Sequence, residues 1–288
     1  MEPIVLRAQG ATTTLDPDRG GRLASVFVGD REVLIPAPDG RDRAIGWGCY
    51  LMAPWPGRLA DGRLRFRGVT HQLRRNHGRN AIHGLVFDRP WTVVARSAAT
   101  AELKTRLGPP SWPFSGVVRQ WTRLDSRGIT LTAEIVAGEA MPAAFGWHPW
   151  FRRTGVDPTL RVVADRILET EAMIPTGRLV AVDGRTDLRE GPRLGARRLD
   201  HAYVAARGPE RLEWPDLTLT IEHEPPLSVV TVFTPPHAIC VEPQTARPNA
   251  LGLDDREARA AGAVTLEAGA SLRATMRIAW RVREAASP

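Results

Sequence analysis

Five short segments set polar side chains among prolines, glycines and tryptophans, where a group can be held still enough to bind a ligand or move a proton. Pro54-Trp55-Pro56-Gly57-Arg58-Leu59-Ala60-Asp61-Gly62 constrains the chain around Arg58, whose planar guanidinium can donate to hydroxyls or a carboxylate. Ile82-His83-Gly84 puts a histidine before a residue that permits a close approach or a left-handed backbone. Phe145-Gly146-Trp147-His148-Pro149-Trp150-Phe151 surrounds one titratable imidazole with aromatic rings, and Pro149 stiffens the chain after it. Such a wall suits a pyranose, whose C–H faces pack on ring faces. Leu199-Asp200-His201-Ala202-Tyr203 offers Asp200 as an acceptor for hydroxyl protons. In the fifth, the apolar run His237-Ala238-Ile239-Cys240-Val241 leads into Glu242 and Pro243, which predicts Glu242 at a strand end facing a cleft. Each has a plainer alternative: a surface turn for Arg58, a structural imidazole for His83, a core histidine for His148, a turn aspartate for Asp200 and a solvated terminal charge for Glu242.

Other chemistries lack their signatures. The seven histidines form no H-x-H or H-E-x-x-H pattern, so no metal site is expected. No Walker loop is present, no G-x-G-x-x-G opens a helix, and there is no G-x-S-x-G elbow. The expectation is chemistry without a cofactor. Cys49 and Cys240 form no C-x-x-C pair and no disulfide framework. Two lone thiols fit a reducing compartment.

The elements that must position these residues read as strands. Leu272, Ala274, Met276, Ile278 and Trp280 alternate with mostly polar neighbours, as do Ile129, Leu131, Ala133 and Ile135. Val117–Leu124 and the strand after it are joined by Asp125-Ser126-Arg127-Gly128, which reads as a hairpin connection. Arg22–Val28, Trp91–Arg96, Leu217–Glu222 and Ser228–Thr234 are further candidates. The segment 253–261 fits a short helix or a polar loop, and Pro36-Ala37-Pro38 and Pro109-Pro110 read as loops. Many short strands between turn residues predict an all-β antiparallel sandwich, and with no linker or repeat, residues 1–288 read as one domain.

Composition narrows the partners. The net charge is +7, but the arginines are scattered and Lys104 is the only lysine, so a nucleic-acid surface is not expected. No apolar run reaches the length of a membrane helix, and the first residues do not show the basic-then-apolar order of a secretory leader. A cytoplasmic location follows as an expectation. The oligomeric state is open.

Together the segments resemble the aldose 1-epimerase (galactose mutarotase) family, from about Arg22 to Trp280. The matching pieces are P-W-P-G-R-L-A-D-G-R, N-A-I-H-G, G-W-H-P-W-F, I-P-T-G at Ile174–Gly177, L-D-H-A-Y and V-E-P-Q-T-A-R-P-N-A. The resemblance implies a large antiparallel supersandwich, a sugar substrate and cofactor-free exchange of α and β anomers. It implies Glu242 as general base, His148 as general acid, and Arg58, His83 and Asp200 as substrate-binding groups. The acid and base are expected on opposite sides of the reacting acetal. The chain departs from the family at Gly57, where Asn is usual, at Leu85 in place of a second glycine, and at Trp150 in place of Tyr. Alternatives are a noncatalytic carbohydrate-binding protein on the same fold and a mutarotase for a phosphorylated sugar. Glycoside hydrolysis needs two carboxylates, and Glu242 alone has a strong context.

Overall fold

Alternating burial builds two antiparallel sheets. The computed structural model describes residues 1–37, 44–153 and 155–283. The first sheet runs in the order Ile4–Ala8, Ala11–Asp16, Arg22–Val28, Cys49–Met52, Gly146–Arg152, Ala238–Gln244, Val229–Phe233, Asp200–Val204, Arg166–Glu171 and Ile174–Ala181, with Arg31–Glu32 paired to the third strand. The second runs Thr92–Arg96, Thr100–Leu107, Gly116–Asp125, Gly128–Ala137, Ser271–Val282, Leu217–His223, Glu210–Glu213 and Thr159–Arg161.

One hydrophobic cluster draws on both sheets, joining Leu15, Leu23, Leu51 and Val241 to Leu103, Ile129, Leu219 and Met276. This is the sandwich interior. The expected alternation holds in the second sheet, where Ile129, Leu131, Ala133 and Ile135 are buried and pair in register with Ile278, Met276, Ala274 and Leu272. Trp280 is only partly buried and donates its indole N–H to the Ser126 carbonyl, 3.1 Å away. Asp125 pairs with Gly128, which confirms the hairpin. The Trp91–Arg96 candidate is Thr92–Arg96, a mostly exposed edge strand with a register shift between Val93 and Ala95. Asp255–Ala260 is a short helix capped by Asp254, which accepts from the amides of Arg256 and Glu257. Pro109 and Pro110 lie in a loop, as do Pro36 and Ala37, while Pro38 lies outside the described residues. Among the described residues no helix is long and apolar enough to cross a membrane.

The central strands of the first sheet are buried on both faces. Gly146–Phe151 and Ala238–Gln244 have no exposed residue. Trp147, Phe151, Ile239 and Val241 enter the interior. Tyr50, Met52, Trp150 and Cys240 project from the opposite face into a second apolar cluster with Trp47 and Phe87. This second face carries the site.

Candidate active site

Register explains how distant segments meet. The Gly146–Arg152 and Ala238–Gln244 strands pair at Gly146–Gln244 and again at Trp150–Cys240, so counting inward sets His148 opposite Glu242. On the outer sides His148 pairs with Tyr50, and Glu242 with Thr231, which pairs in turn with Ala202. Partners across a sheet share a face, so Tyr50, His148, Glu242, Thr231 and Ala202 form one row. Pro149 and Pro243 follow the two titratable residues and have no amide hydrogen for the ladder. Glu242 is thus inside its strand, not at the end that its sequence predicts, because Pro243 and Gln244 continue the pairing.

His148 Nε2 lies 3.2 Å from Glu242 Oε1, and both side chains are almost wholly buried. Gln244 Nε2 donates to the other carboxylate oxygen at 3.1 Å. The two side chains expected to flank a ligand are close neighbours, because adjacent strands supply them. Burial raises the Glu242 carboxyl well above its usual range, the Asp200 charge adds to this, and the Gln244 hydrogen bond and Arg58 oppose it. Burial lowers the His148 imidazole to about 3, with Arg22 and Arg58 pushing the same way. Both groups are driven toward their uncharged forms.

Loops bring the remaining candidates to the same floor. Gly57 has a φ of +63° and packs on Pro248, where a Cβ would lie 2.9 Å from the proline ring. That left-handed backbone suits glycine best and asparagine next, which rationalises the departure at this position. Arg58 pairs with Ile82, and its carbonyl accepts from Asn249 N at 2.7 Å, which ties the Arg58 and His83 loops to the segment after Glu242. His83 has a φ of +61°, unusual for a side chain with a Cβ. The adjacent Gly84 lies so close to Ala53 that a Cβ would meet its carbonyl at 2.1 Å. Gly84 is thus needed for chain packing, and the ring before it is turned edge-on to His148 at 5.0 Å. Burial depresses the His83 imidazole well below its usual range, with His148 and Arg58 adding to the effect. Asp200 opens its strand and faces Arg58, with Oδ2 to Nη1 at 3.9 Å; burial raises its carboxyl and Arg58 opposes the rise.

All five candidates line one cleft of about 620 Å³. Of the aromatic residues that surround His148 in the sequence, Trp150 lines the cleft, stacked on His148 at 5.0 Å and on His237 at 6.2 Å, whereas Phe145, Trp147 and Phe151 enter the sandwich interior. His83 Nδ1, Thr231 Oγ1 and Gln244 Oε1 are buried there without a hydrogen-bond partner. Buried polar atoms rarely go unpaired. Gln244 and Cys240 were legible as the i+2 and i−2 neighbours of Glu242 on one face of a strand. Thr231 gave no sequence signal. Neither did Arg22, a fully buried cation 4.8 Å from the Tyr50 ring that donates to the carbonyls of Arg19, Ala44, Trp47 and Phe87.

A possible metal grouping also emerges that spacing did not suggest. His148, Cys240 and Glu242 put ligand atoms within 4.8 Å of one another, a nitrogen, sulfur and oxygen set of the type zinc accepts. Burial holds the Cys240 thiol well above its usual range, with Glu242 adding to the rise, and so keeps it protonated.

The fold and this cleft define the class, an all-β supersandwich of the galactose mutarotase type. The putting of a family to it comes from sequence: the aldose 1-epimerase profile matches residues 3–279, and the chain belongs to the aldose 1-epimerase family. It is 29% identical over 168 residues to the uncharacterized protein YihR of Escherichia coli K12, a match spanning 54% of this chain and 54% of that protein, about half the length of each. A crystal structure from E. coli K12, described as a candidate aldose 1-epimerase, superposes with a TM-score of 0.87 at 19% identity, covering 98% of this chain and 99% of that one. A galactose mutarotase-like protein from Clostridium acetobutylicum gives 0.86 at 18% identity, covering 98% and 95%. These two establish the fold.

Proposed function

We propose that the protein is an aldose 1-epimerase that exchanges the α and β anomers of a reducing sugar through His148 and Glu242. The observation that carries this reading is their 3.2 Å contact on the floor of an aromatic-walled cleft. The anomeric hydroxyl O1 and the ring oxygen O5 are bonded to one carbon, so neighbouring protein atoms can serve both. Glu242 takes the proton from O1 as His148 delivers one to O5. The C1–O5 bond breaks, C1=O1 forms, and the open-chain aldehyde carries a hydroxyl at C5. Rotation about C1–C2 presents the other carbonyl face. O5 then attacks C1, its proton returns to His148, and Glu242 returns a proton to O1. Burial makes the Glu242 carboxylate a stronger base and the His148 imidazolium a stronger acid, so moving the carboxyl proton onto the imidazole prepares both partners. Arg58, His83 and Asp200 orient the hydroxyls. Residues 1–288 act as one unit in this reading, without a cofactor.

Polarimetry of freshly dissolved α-D-glucose and α-D-galactose tests it. The protein should speed the approach to equilibrium rotation in proportion to its concentration. If neither these nor other reducing sugars relax faster than the buffer blank, while sugars still bind, the noncatalytic binding reading replaces this one.

A further inference from the structure

We propose that His148, Cys240 and Glu242 form an inhibitory site for a sulfur-seeking divalent cation, zinc above all. The site itself rests on the arrangement of the three side chains alone. The inhibition rests on the mutarotase reading, because a cation held there takes the acid and the base out of use.

The strands set the geometry. Cys240 and Glu242 are two positions apart on one strand and so project from one face. His148 is on the neighbouring strand, opposite Glu242 and diagonal to Cys240, whose own partner is Trp150. One ligand atom from each of the three, a nitrogen, a sulfur and an oxygen, lies within 4.8 Å of the other two. Zinc bonds of about 2.0–2.3 Å at tetrahedral angles put neighbouring ligand atoms about 3.3–3.6 Å apart. His148 Nε2 and Glu242 Oε1 already have nearly that separation, at 3.2 Å. Closing the widest pair from 4.8 Å to about 3.6 Å needs a shift of no more than about 1.2 Å, which small side-chain rotations supply.

Charge and access fit the same cation. A thiolate, a carboxylate and a neutral imidazole carry two negative charges, which a divalent ion cancels, so the filled site brings no net charge into a buried region. Binding is an exchange: one cation enters, and the Cys240 thiol and the Glu242 carboxyl each release a proton. His148 and Glu242 line the cleft, and Cys240 is fully buried. The ion therefore enters from the cleft and keeps its fourth position there for water. Gln244 Nε2, 3.1 Å from the second carboxylate oxygen, steadies the Glu242 ligand. Two features make this an exchangeable ion and not a resident one. A ligating imidazole normally donates its other N–H to a carboxylate or carbonyl, and His148 Nδ1 is buried without a hydrogen-bond partner. Fixed cations also oppose the ion: Arg58 lines the cleft, and Arg22 lies 4.8 Å from the Tyr50 ring, which is itself 5.0 Å from His148. Magnesium and calcium prefer six or more oxygens and find one carboxylate here.

Two readouts test the site. Cobalt(II) titrated into the full chain should give the near-ultraviolet sulfur-to-cobalt charge-transfer band of a thiolate ligand, and zinc should displace it; this needs no turnover. Polarimetric mutarotation at rising free zinc or cadmium should be inhibited and then restored by a chelator, with magnesium and calcium at the same concentrations without effect. Cys240→Ala should lose the band. It should also need at least about tenfold more zinc for half-inhibition, read against its own metal-free rate, because a lost ligand weakens binding at least as much as a lost outer partner does. Cys240→Ser, close to cysteine in size, controls for repacking and should behave alike, with circular dichroism confirming that both variants fold. Absence of the band in the parent, or a band or zinc inhibition that survives both substitutions, would overturn the site while the mutarotase reading stands. A zinc-displaceable band that vanishes in both variants, in a protein that speeds mutarotation of no sugar, would sustain the metal site and overturn the isomerase.

Discussion

Glu242→Gln separates catalysis from architecture more cleanly than any other change in the cleft. The amide has the carboxylate's shape, and its contacts can all be rebuilt. Its oxygen accepts from Gln244 Nε2, now at 3.1 Å from the carboxylate. Its NH2 group faces His148 Nε2 across 3.2 Å and can donate to a neutral imidazole, the form that burial favours. No buried donor is stranded, so the fold should be kept. Catalysis should not survive, because an amide cannot take the O1 proton. Loss of one general acid–base partner is worth about 10²–10⁴-fold, or about 3–5 kcal/mol of barrier. Stability should move the other way. The folded-state pKa of Glu242 lies above its unfolded value, so its favourable contribution is complete below about pH 4.5 and is lost as pH rises through the folded value. Glutamine does not titrate and escapes that loss. The melting temperature of the variant, relative to the parent, should therefore increase from pH 5 to pH 8. Polarimetric progress curves and thermal melts by circular dichroism measure the two effects. A variant within tenfold of the parental rate, or one whose relative melting temperature falls with pH, would refute the reasoning.

The pH–rate profile should have limbs that belong to the His148–Glu242 pair as a unit: the second proton must go to an imidazole lowered to about 3, so activity should persist well below pH 6.5 and end on the alkaline side when the raised Glu242 carboxyl loses its proton. An acid limb centred near pH 6.5, after subtraction of the uncatalysed reaction, would contradict the buried pair. His148→Asn should lose turnover about 10²–10⁴-fold with KM little changed, whereas Arg58→Ala and Asp200→Asn should raise KM as well as lower kcat; steady-state polarimetry distinguishes them, and an affinity-only defect in His148→Asn would make His83 the first candidate for the acid. Away from the cleft, His223 contacts Glu210 at 3.1 Å and the Leu227 carbonyl at 3.1 Å. Burial alone would lower this imidazole, but these partners outweigh it and the net shift is upward. Its contribution to stability should be complete below the unfolded value near 6.5 and fade as pH rises through the folded one, so the melting-temperature deficit of His223→Gln should be largest in acid and shrink in alkali.

What sequence can show about this molecule depends on how many faces of a strand are covered. Ile129–Ile135 and Leu272–Ile278 lie in the second sheet with one face in the interior and the other toward solvent, and their alternation is plain. The same argument weakens in Gly146–Phe151 and Ala238–Gln244, where loops cover the outer face and apolar residues point both ways. Glu242 consequently looks like the residue at which a strand stops, although pairing with Thr231 and Val229 carries the strand on to Gln244. Its neighbour in space could not be inferred from spacing either. His148 and Glu242 are 94 positions apart, and only the sheet order, which sets their strands side by side, brings two stiff histidine and glutamate contexts into contact. Local chemistry did mark the loops. Gly57 and Gly84 stand where a left-handed backbone and a close contact are both required. Arg22 and Thr231 stayed hidden because their importance comes from what surrounds them. Arg22 is an ordinary arginine in a strand until four carbonyls converge on it behind Tyr50. Residues that act alone can be suspected from their own sequence context, whereas residues that act through a partner become legible only when strand order and register are known.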